Sequence, residues 1–327
     1  MKRKVSIQIS QFQHWHGDAR AIEIAKEIGA DGIDIDLSRH DYRKPDSIYS
    51  KSDREIEEYF TGLYEKAHSL GLPVCQTHGR LLICSDLPED TEANIRNARL
   101  DCLATRCLHS PIVVMHGVTK RYNGMEPTPE NIFWLNETLF CRILEFAKKY
   151  QVKVATETIG DGDVEYFGQI REFYKTYRNI ADQGDNKDYF VTCVDTGHTN
   201  DVVGYSNNPS VGDAIRLLGG SIGCLHLHDN DGTGQDQHRT FFSGNIDWVD
   251  VFDALDEVGY DGWYNMELNL LTLKRFGYGF EREYAAYSVK MLRFMLAARY
   301  GVENCCIQET DRSWLEYTRE RTQARKK

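Results

Sequence analysis

The chain has 327 residues, 41% of them hydrophobic and 27% charged, enough for a sizeable core and unlike a disordered or membrane-embedded composition. A formal net charge of −11 argues against a nucleic-acid partner, since polyanion binding draws on Lys and Arg at the phosphates. There is neither a secretory core nor an apolar run long enough for a bilayer, so no membrane partner and a cytoplasmic location are expected.

In chain order, a strand over 5–10 precedes a helix over 19–28 that Gly29 stops. A second strand covers 33–37, where Ile33, Ile35 and Leu37 alternate with Asp34 and Asp36. A helix over 52–69 takes Ser52 as N-cap and ends before Gly71-Leu72-Pro73. Strand three spans 74–78, followed by a helix over 89–107. Strand four, 111–117, is apolar up to His116, and Thr128 or Pro129 opens a helix to 150. Strand five, 152–158, carries Glu157, and a helix over 164–179 follows. Strand six, 189–195, ends at Asp195, and a helix over 209–218 is closed by Gly219-Gly220. Strand seven covers 222–228, a helix 246–258, strand eight 262–268, and the last helix 281–300.

Strict alternation predicts a parallel sheet, and eight units predict its closure into a single-domain α/β fold, the (β/α)8 TIM barrel. An open doubly wound sheet would carry a Gly-rich first turn, and none follows Ser10. The barrel is expected over 1–300, with 301–327 as a C-terminal extension whose cationic run, 319–327, is solvated. Nine scattered cysteines without a CxxC pair read as reduced, mostly buried thiols.

Strand seven carries the densest chemistry, Cys224-Leu225-His226-Leu227-His228-Asp229. With period 2, His226 and His228 share a face with Cys224, and the leucines face the opposite way. In a TIM barrel catalytic groups sit where strands end. Those ends carry His78, His116, Glu157, Asp195, His226 and Glu267; His198 follows strand six, and Asp236 and His238 lie in the loop after strand seven. Singly, each has a structural reading: a hydrogen-bonded loop histidine, a helix cap, a turn brace, an arginine partner. Nine together at one mouth form a constellation able to hold divalent metal.

These residues sit in Thr77-His78-Gly79, Met115-His116-Gly117, Thr156-Glu157-Thr158, Val194-Asp195-Thr196-Gly197-His198, His226-Leu227-His228-Asp229, Asp236-Gln237-His238, Gly244-Asn245-Ile246-Asp247-Trp248 and Met266-Glu267-Leu268. The set resembles the xylose isomerase-like TIM-barrel superfamily, which includes sugar isomerases and epimerases, inosose dehydratase-like proteins and type IV apurinic endonucleases.

Resemblance to the isomerase and epimerase branch implies a divalent ion on Glu157, Asp195, His226 and Glu267. Three carboxylates and one imidazole favour Mn or Mg, with Zn or Co as alternatives. It further implies a small carbohydrate substrate, sugar or sugar phosphate, with Glu157 and Glu267 as the acid/base pair and His198 assisting. Resemblance to the endonuclease branch covers all nine positions and implies up to three zinc ions cleaving a phosphodiester, with His78, His116, Asp236 and His238 as further ligands or substrate contacts. Asp236-x-His238 departs from the epimerase pattern, which usually has an arginine near His238. Phe241-Phe242-Ser243-Gly244 departs from the Pro-Gly-Glu-Gly run of many relatives; the phenylalanines either reshape the pocket or pack under the loop. The acidic balance and the short basic stretch Lys120-Arg121-Tyr122 favour the sugar reading. An inosose dehydratase-like lyase and a non-enzymatic sugar-binding module are the further alternatives, and the resemblance implies a homodimer or tetramer.

Asp34 and Asp36, on the inward face of strand two, meet either sugar hydroxyls or the barrel core. Trp15, His14, His16 and Arg239 either wall the pocket, with Arg239 on an anionic group, or belong to surface loops. Trp248 and Trp263 read as core or interface residues.

Overall fold

A computed structural model describes residues 3–82, 88–118, 128–159, 169–203, 208–275, 277, 279–305 and 312. Eight parallel strands run β1 (Val5–Gln8), β2 (Gly32–Asp36), β3 (Val74–Leu81), β4 (Ile112–His116), β5 (Lys153–Glu157), β6 (Phe190–Asp195), β7 (Ile222–His226) and β8 (Tyr264–Met266). Each pairs with its chain neighbour from β1 to β7, β8 pairs with β1, and a parallel bridge between Leu227 and Met266 joins β7 to β8. The sheet therefore closes as the expected single-domain (β/α)8 TIM barrel.

The helices are α1 (Ser10–His16), α2 (Asp18–Glu27), α3 (Asp53–Ser69), α4 (Pro88–Cys107), α5 (Pro129–Tyr150), α6 (Ile170–Ala181), α7 (Thr196–Asp201), α8 (Val211–Leu218), α9 (Trp248–Glu257), α10 (Leu271–Lys274) and α11 (Phe280–Tyr300). Caps set several boundaries. Ser52 and Glu55 form a reciprocal capping box at α3, and Thr128 caps α5 with Pro129 in its first turn. Asp247 accepts from the Val249 and Asp250 amides, which starts α9 two residues later than the hydrophobic pattern predicts.

Three short helices, α1, α7 and α10, escape that pattern, because four to seven residues hold too little of a 3.6-residue period. The first of them cuts its strand short: β1 ends at Gln8 rather than at residue 10. The helix expected over 164–179 is seen from Ile170; residues 164–168 lie outside the described residues, as do Lys120-Arg121-Tyr122 and the tail 319–327. Beyond α11 the chain returns to the start of the barrel, where Cys305 bridges Arg3.

Period-2 alternation sorts the strand side chains into two layers. Outward residues such as Val113, Met115, Val154, Val194 and Leu225 pack into one large core with the helices. Inward residues Ile112, Val114, Ala155, Val191, Cys193 and Cys224 form a separate apolar plug inside the barrel. Burying each aliphatic side chain contributes about 1.5–3 kcal/mol. A one-residue slip would exchange the two layers, so the apolar pattern pins the register. The residues one step further along the inner face, above the plug, are His116, Glu157, Asp195 and His226.

Candidate metal centre

Register pairs His116 with Glu157 and Asp195 with His226, the second pair one inward position further along because Glu157 itself pairs with Cys193, while Asp36 pairs with His78 on the other side of the mouth. Glu157 is the hub and is fully buried. Its Oε1 lies 3.1 Å from His226 Nδ1 and 3.3 Å from His198 Nδ1. Its Oε2 lies 3.1 Å from His116 Nε2 and 3.5 Å from His78 Nε2. Glu267 Oε2 is 3.0 Å from His226 Nδ1.

Among the described residues Glu157 Oε2 and Glu267 Oε2 nevertheless have no hydrogen-bond partner, although imidazole nitrogens stand this close. Proximity without alignment is what donors show when their lone pairs point to a common centre rather than at each other. Ligands on neighbouring vertices around an ion with bonds of about 2.1 Å are themselves about 3.0–3.4 Å apart. Three sets of side chains each bring ligand atoms within 4.8 Å of one another: Glu157, Asp195, His226 and Glu267; His78, Glu157 and His226; and His198, Asp236 and His238. All nine residues expected from the sequence thus meet at one mouth, and the donor set fits a divalent cation.

The surroundings orient these groups. Gln8 Nε2 donates to Glu267 Oε1 at 2.8 Å, and the Ser10 hydroxyl donates to Gln8 Oε1 at 2.6 Å. Asp195 Oδ1 accepts from the His198 backbone N–H at 2.7 Å, so one carboxylate oxygen caps α7. Asp34, buried in the barrel, accepts from the amides of Gln76 and Asn265 and faces His226 Nε2. The core role weighed for Asp34 is the one observed.

Burial disfavours charge throughout, but the mixture of acids and imidazoles overrides it. The Glu157 carboxylate pushes His78 up to about 9 despite that burial, and Glu267 and Asp236 do the same for His238. His226 and His198 are also raised, and Glu157 and Glu267 are held below the usual carboxylate range by the histidines they face. The mouth is therefore a set of ion pairs whose histidine protons a cation would displace.

A cavity of about 240 Å³ opens onto the site, lined by Gln8, Ser10, Asp36, Ser38, His78, Leu81, His116, His198, Asp236, His238 and Glu267. Glu157 is absent from this lining and lies deeper than Glu267. A second cavity, about 220 Å³ between α5 and α6, brings Glu130, Glu172 and Lys175 together with apolar side chains but none of the ligand groups.

Other candidates sit elsewhere. Trp15 packs edge-on against Phe12 on α1, and neither it nor His14 nor His16 lines the cavity. Arg239 pairs with Asp231 at 3.1 Å. Phe241 packs on Trp248, but Phe242 is 64% exposed, so only one of the two phenylalanines lies under the loop. β7 ends at His226, not at residue 228, and His228 turns beneath the mouth onto Asp195. Gln8, Ser10 and His228 are the contributors missed as site residues. Gln8 ends β1 and Ser10 opens α1 without a distinctive motif, and His228 reads only as a neighbour of His226.

The closed barrel with converging histidines and carboxylates at its C-terminal mouth defines an enzyme-type scaffold with a ligand-rich centre. The chain belongs to the xylose isomerase-like TIM-barrel family, whose model matches residues 22–294. An uncharacterised protein of Methanocaldococcus jannaschii is 26% identical over 194 residues, which span 56% of this chain and only 61% of the archaeal protein. A D-psicose 3-epimerase from Clostridium cellulolyticum H10, solved with D-tagatose, superposes with a TM-score of 0.68 at 17% identity, over 90% of this chain and 99% of that one. The IolI protein with a bound zinc atom superposes with a TM-score of 0.64 at 17% identity, over 91% and 99%. At such identities the likeness establishes the barrel. Among the described residues no helix is long and apolar enough to cross a membrane.

Proposed function

We propose that this chain is a divalent-metal-dependent isomerase or epimerase acting on a small carbohydrate. The observation that carries the reading is Glu267: its Oε1 is held by Gln8, its Oε2 has no hydrogen-bond partner among the described residues, and it lines the cavity. Two barrels similar to this one, a D-psicose 3-epimerase and IolI, support it.

Glu157, Asp195, His226 and Glu267 would hold the ion, and their oxygen-rich set suits Mn or Mg, with Zn or Co as alternatives. When bound, the ion supplies Lewis-acid polarisation of a carbonyl, which acidifies the neighbouring C–H. Glu267 takes that proton, because its carboxylate faces the cavity and stays ionised. Returning the proton to the adjacent carbon from the same side gives isomerisation, provided that carbon's hydroxyl proton passes to the former carbonyl oxygen, a transfer for which His198 is the candidate. Epimerisation needs a second donor, for which Glu157 and His198 are the candidates. His198, His78 and His116 line the cavity and orient substrate oxygens.

A second reading, phosphodiester hydrolysis, is favoured by the group His198, Asp236 and His238, which supplies donors beyond those one ion needs. Metal content of protein purified without added metal separates the two. About one Mn, Mg or Co per chain, with solvent-deuterium exchange into ketoses or inosose-like polyols, supports the first. Two or three zinc ions, with cleavage of an abasic duplex and no exchange, overturns it.

A further inference from the structure

His228 belongs to none of the ligand groups, yet it touches two of them. Its Nε2 lies 2.9 Å from the Asp195 carboxylate. Its ring lies flat on that of His238, with centroids 3.9 Å apart and planes 11° from parallel. Asp195 belongs to the deep group with Glu157, and His238 to the outer group with His198 and Asp236.

The fold holds this imidazole from every side. The His228 backbone N–H donates to the Thr196 hydroxyl at 3.0 Å, and the same hydroxyl donates to the His228 carbonyl at 2.8 Å. The ring edge sits on bare backbone at Gly197, where an added Cβ would come within 1.9 Å of Cε1. His228 is fully buried, and Nδ1 has no partner among the described residues. With Asp195 an acceptor, the hydrogen belongs on Nε2, which leaves Nδ1 bare against the Gly197 turn.

We propose that His228 is a positioning residue that couples the two ligand groups, aiming Asp195 through its Nε2–H and fixing the plane of His238 through its ring. The inference rests on the metal-site reading of the mouth. Its consequence is that the two contacts separate by substitution. His228→Gln keeps an N–H donor but loses the ring; His228→Phe keeps the flat ring but loses the donor.

The test is titration of metal-free protein with Co²⁺, followed by calorimetry and the visible d–d spectrum, beside thermal melts of each variant. In His228→Phe the affinity of the deep group falls about 10–100-fold, the scale for removing a partner that orients a ligand, while the outer group keeps its affinity. In His228→Gln the outer group weakens and its spectrum changes, while the deep group keeps wild-type affinity. Wild-type affinity at both groups in both variants overturns the proposal, as does equal loss at both groups in both variants. If wild-type protein takes up no Co²⁺, the metal-site reading has failed instead. If it takes up one ion per chain, as the isomerase or epimerase reading expects, the outer contact is read from the His238 ring signals instead: they must shift in His228→Gln and stay in place in His228→Phe, and the reverse overturns the coupling. Long-range ¹H–¹⁵N spectra of the wild type need no variant and must show the His228 hydrogen on Nε2; a hydrogen on Nδ1 overturns the proposal.

Discussion

Asp34 Oδ2 stands 3.2 Å from His226 Nε2, at the meeting point of β2, β3, β7 and β8. The amides of Gln76 and Asn265 each donate to the same oxygen at 3.1 Å. A carboxylate so loaded accepts from His226 Nε2–H, which leaves Nδ1, beside Glu157 and Glu267, as the nitrogen that would face an ion once its proton has gone. Asp34→Ala should therefore lower divalent-metal affinity about 10–100-fold and also lower the melting temperature, because two buried amides lose their acceptor. Asp34→Asn keeps an acceptor for the imidazole and should lose less. Unchanged affinity in a folded Asp34→Ala protein would refute this role.

Proton release should accompany metal loading. In the metal-free protein His78 and His238 are pushed up to about 9, so both hold protons at neutral pH, whereas a ligating imidazole must be neutral. Apparent affinity should rise from pH 6 to about 9 and level off above it, and calorimetric heats should vary with the ionisation enthalpy of the buffer. Stability follows the opposite course. The raised values stabilise the metal-free fold fully below the unfolded histidine value of about 6.5. That contribution is lost as pH rises through about 9. Thermal melts of metal-free protein should fall across this window, and melts of loaded protein should not.

Gln8 is expected to act on turnover rather than on metal. It fixes one oxygen of Glu267 without belonging to a ligand group. Gln8→Leu should slow solvent-deuterium exchange about 10–100-fold through misorientation of the base, with metal content unchanged. Glu267→Gln should abolish exchange. Loss of metal in Gln8→Leu would show that Gln8 supports the ion instead.

Gly197→Ala tests the seat of His228. The new methyl would overlap the imidazole at 1.9 Å, and the ring is enclosed by Asp195 and His238. A loss of about 1–3 kcal/mol in denaturant unfolding is expected, the usual cost of overpacking. Wild-type stability would mean that the ring has room to move.

The barrel and the inward face of each strand are legible in the amino-acid sequence, because both are written in local periodicity. Ile33, Ile35 and Leu37 alternate with Asp34 and Asp36, and the apolar runs before His116, Glu157, Asp195 and His226 end at the same point of successive units. Six of the nine chemistry-bearing positions were legible for the same reason, since His78, His116, Glu157, Asp195, His226 and Glu267 interrupt an otherwise apolar pattern at strand ends, and His198, Asp236 and His238 follow strands six and seven. Which of them touch, and what holds them, depended on contacts between residues far apart in the chain. Gln8 meets Glu267 across 259 positions, and Asp34 meets His226 across 192. His228 illustrates the limit from close by. Period 2 places it beside His226 on one inward face, but β7 stops at His226, and the Thr196–Gly197 turn draws His228 down onto Asp195. Alternation holds only while the strand lasts, and where it ends was decided by hydrogen bonds from another segment of the barrel.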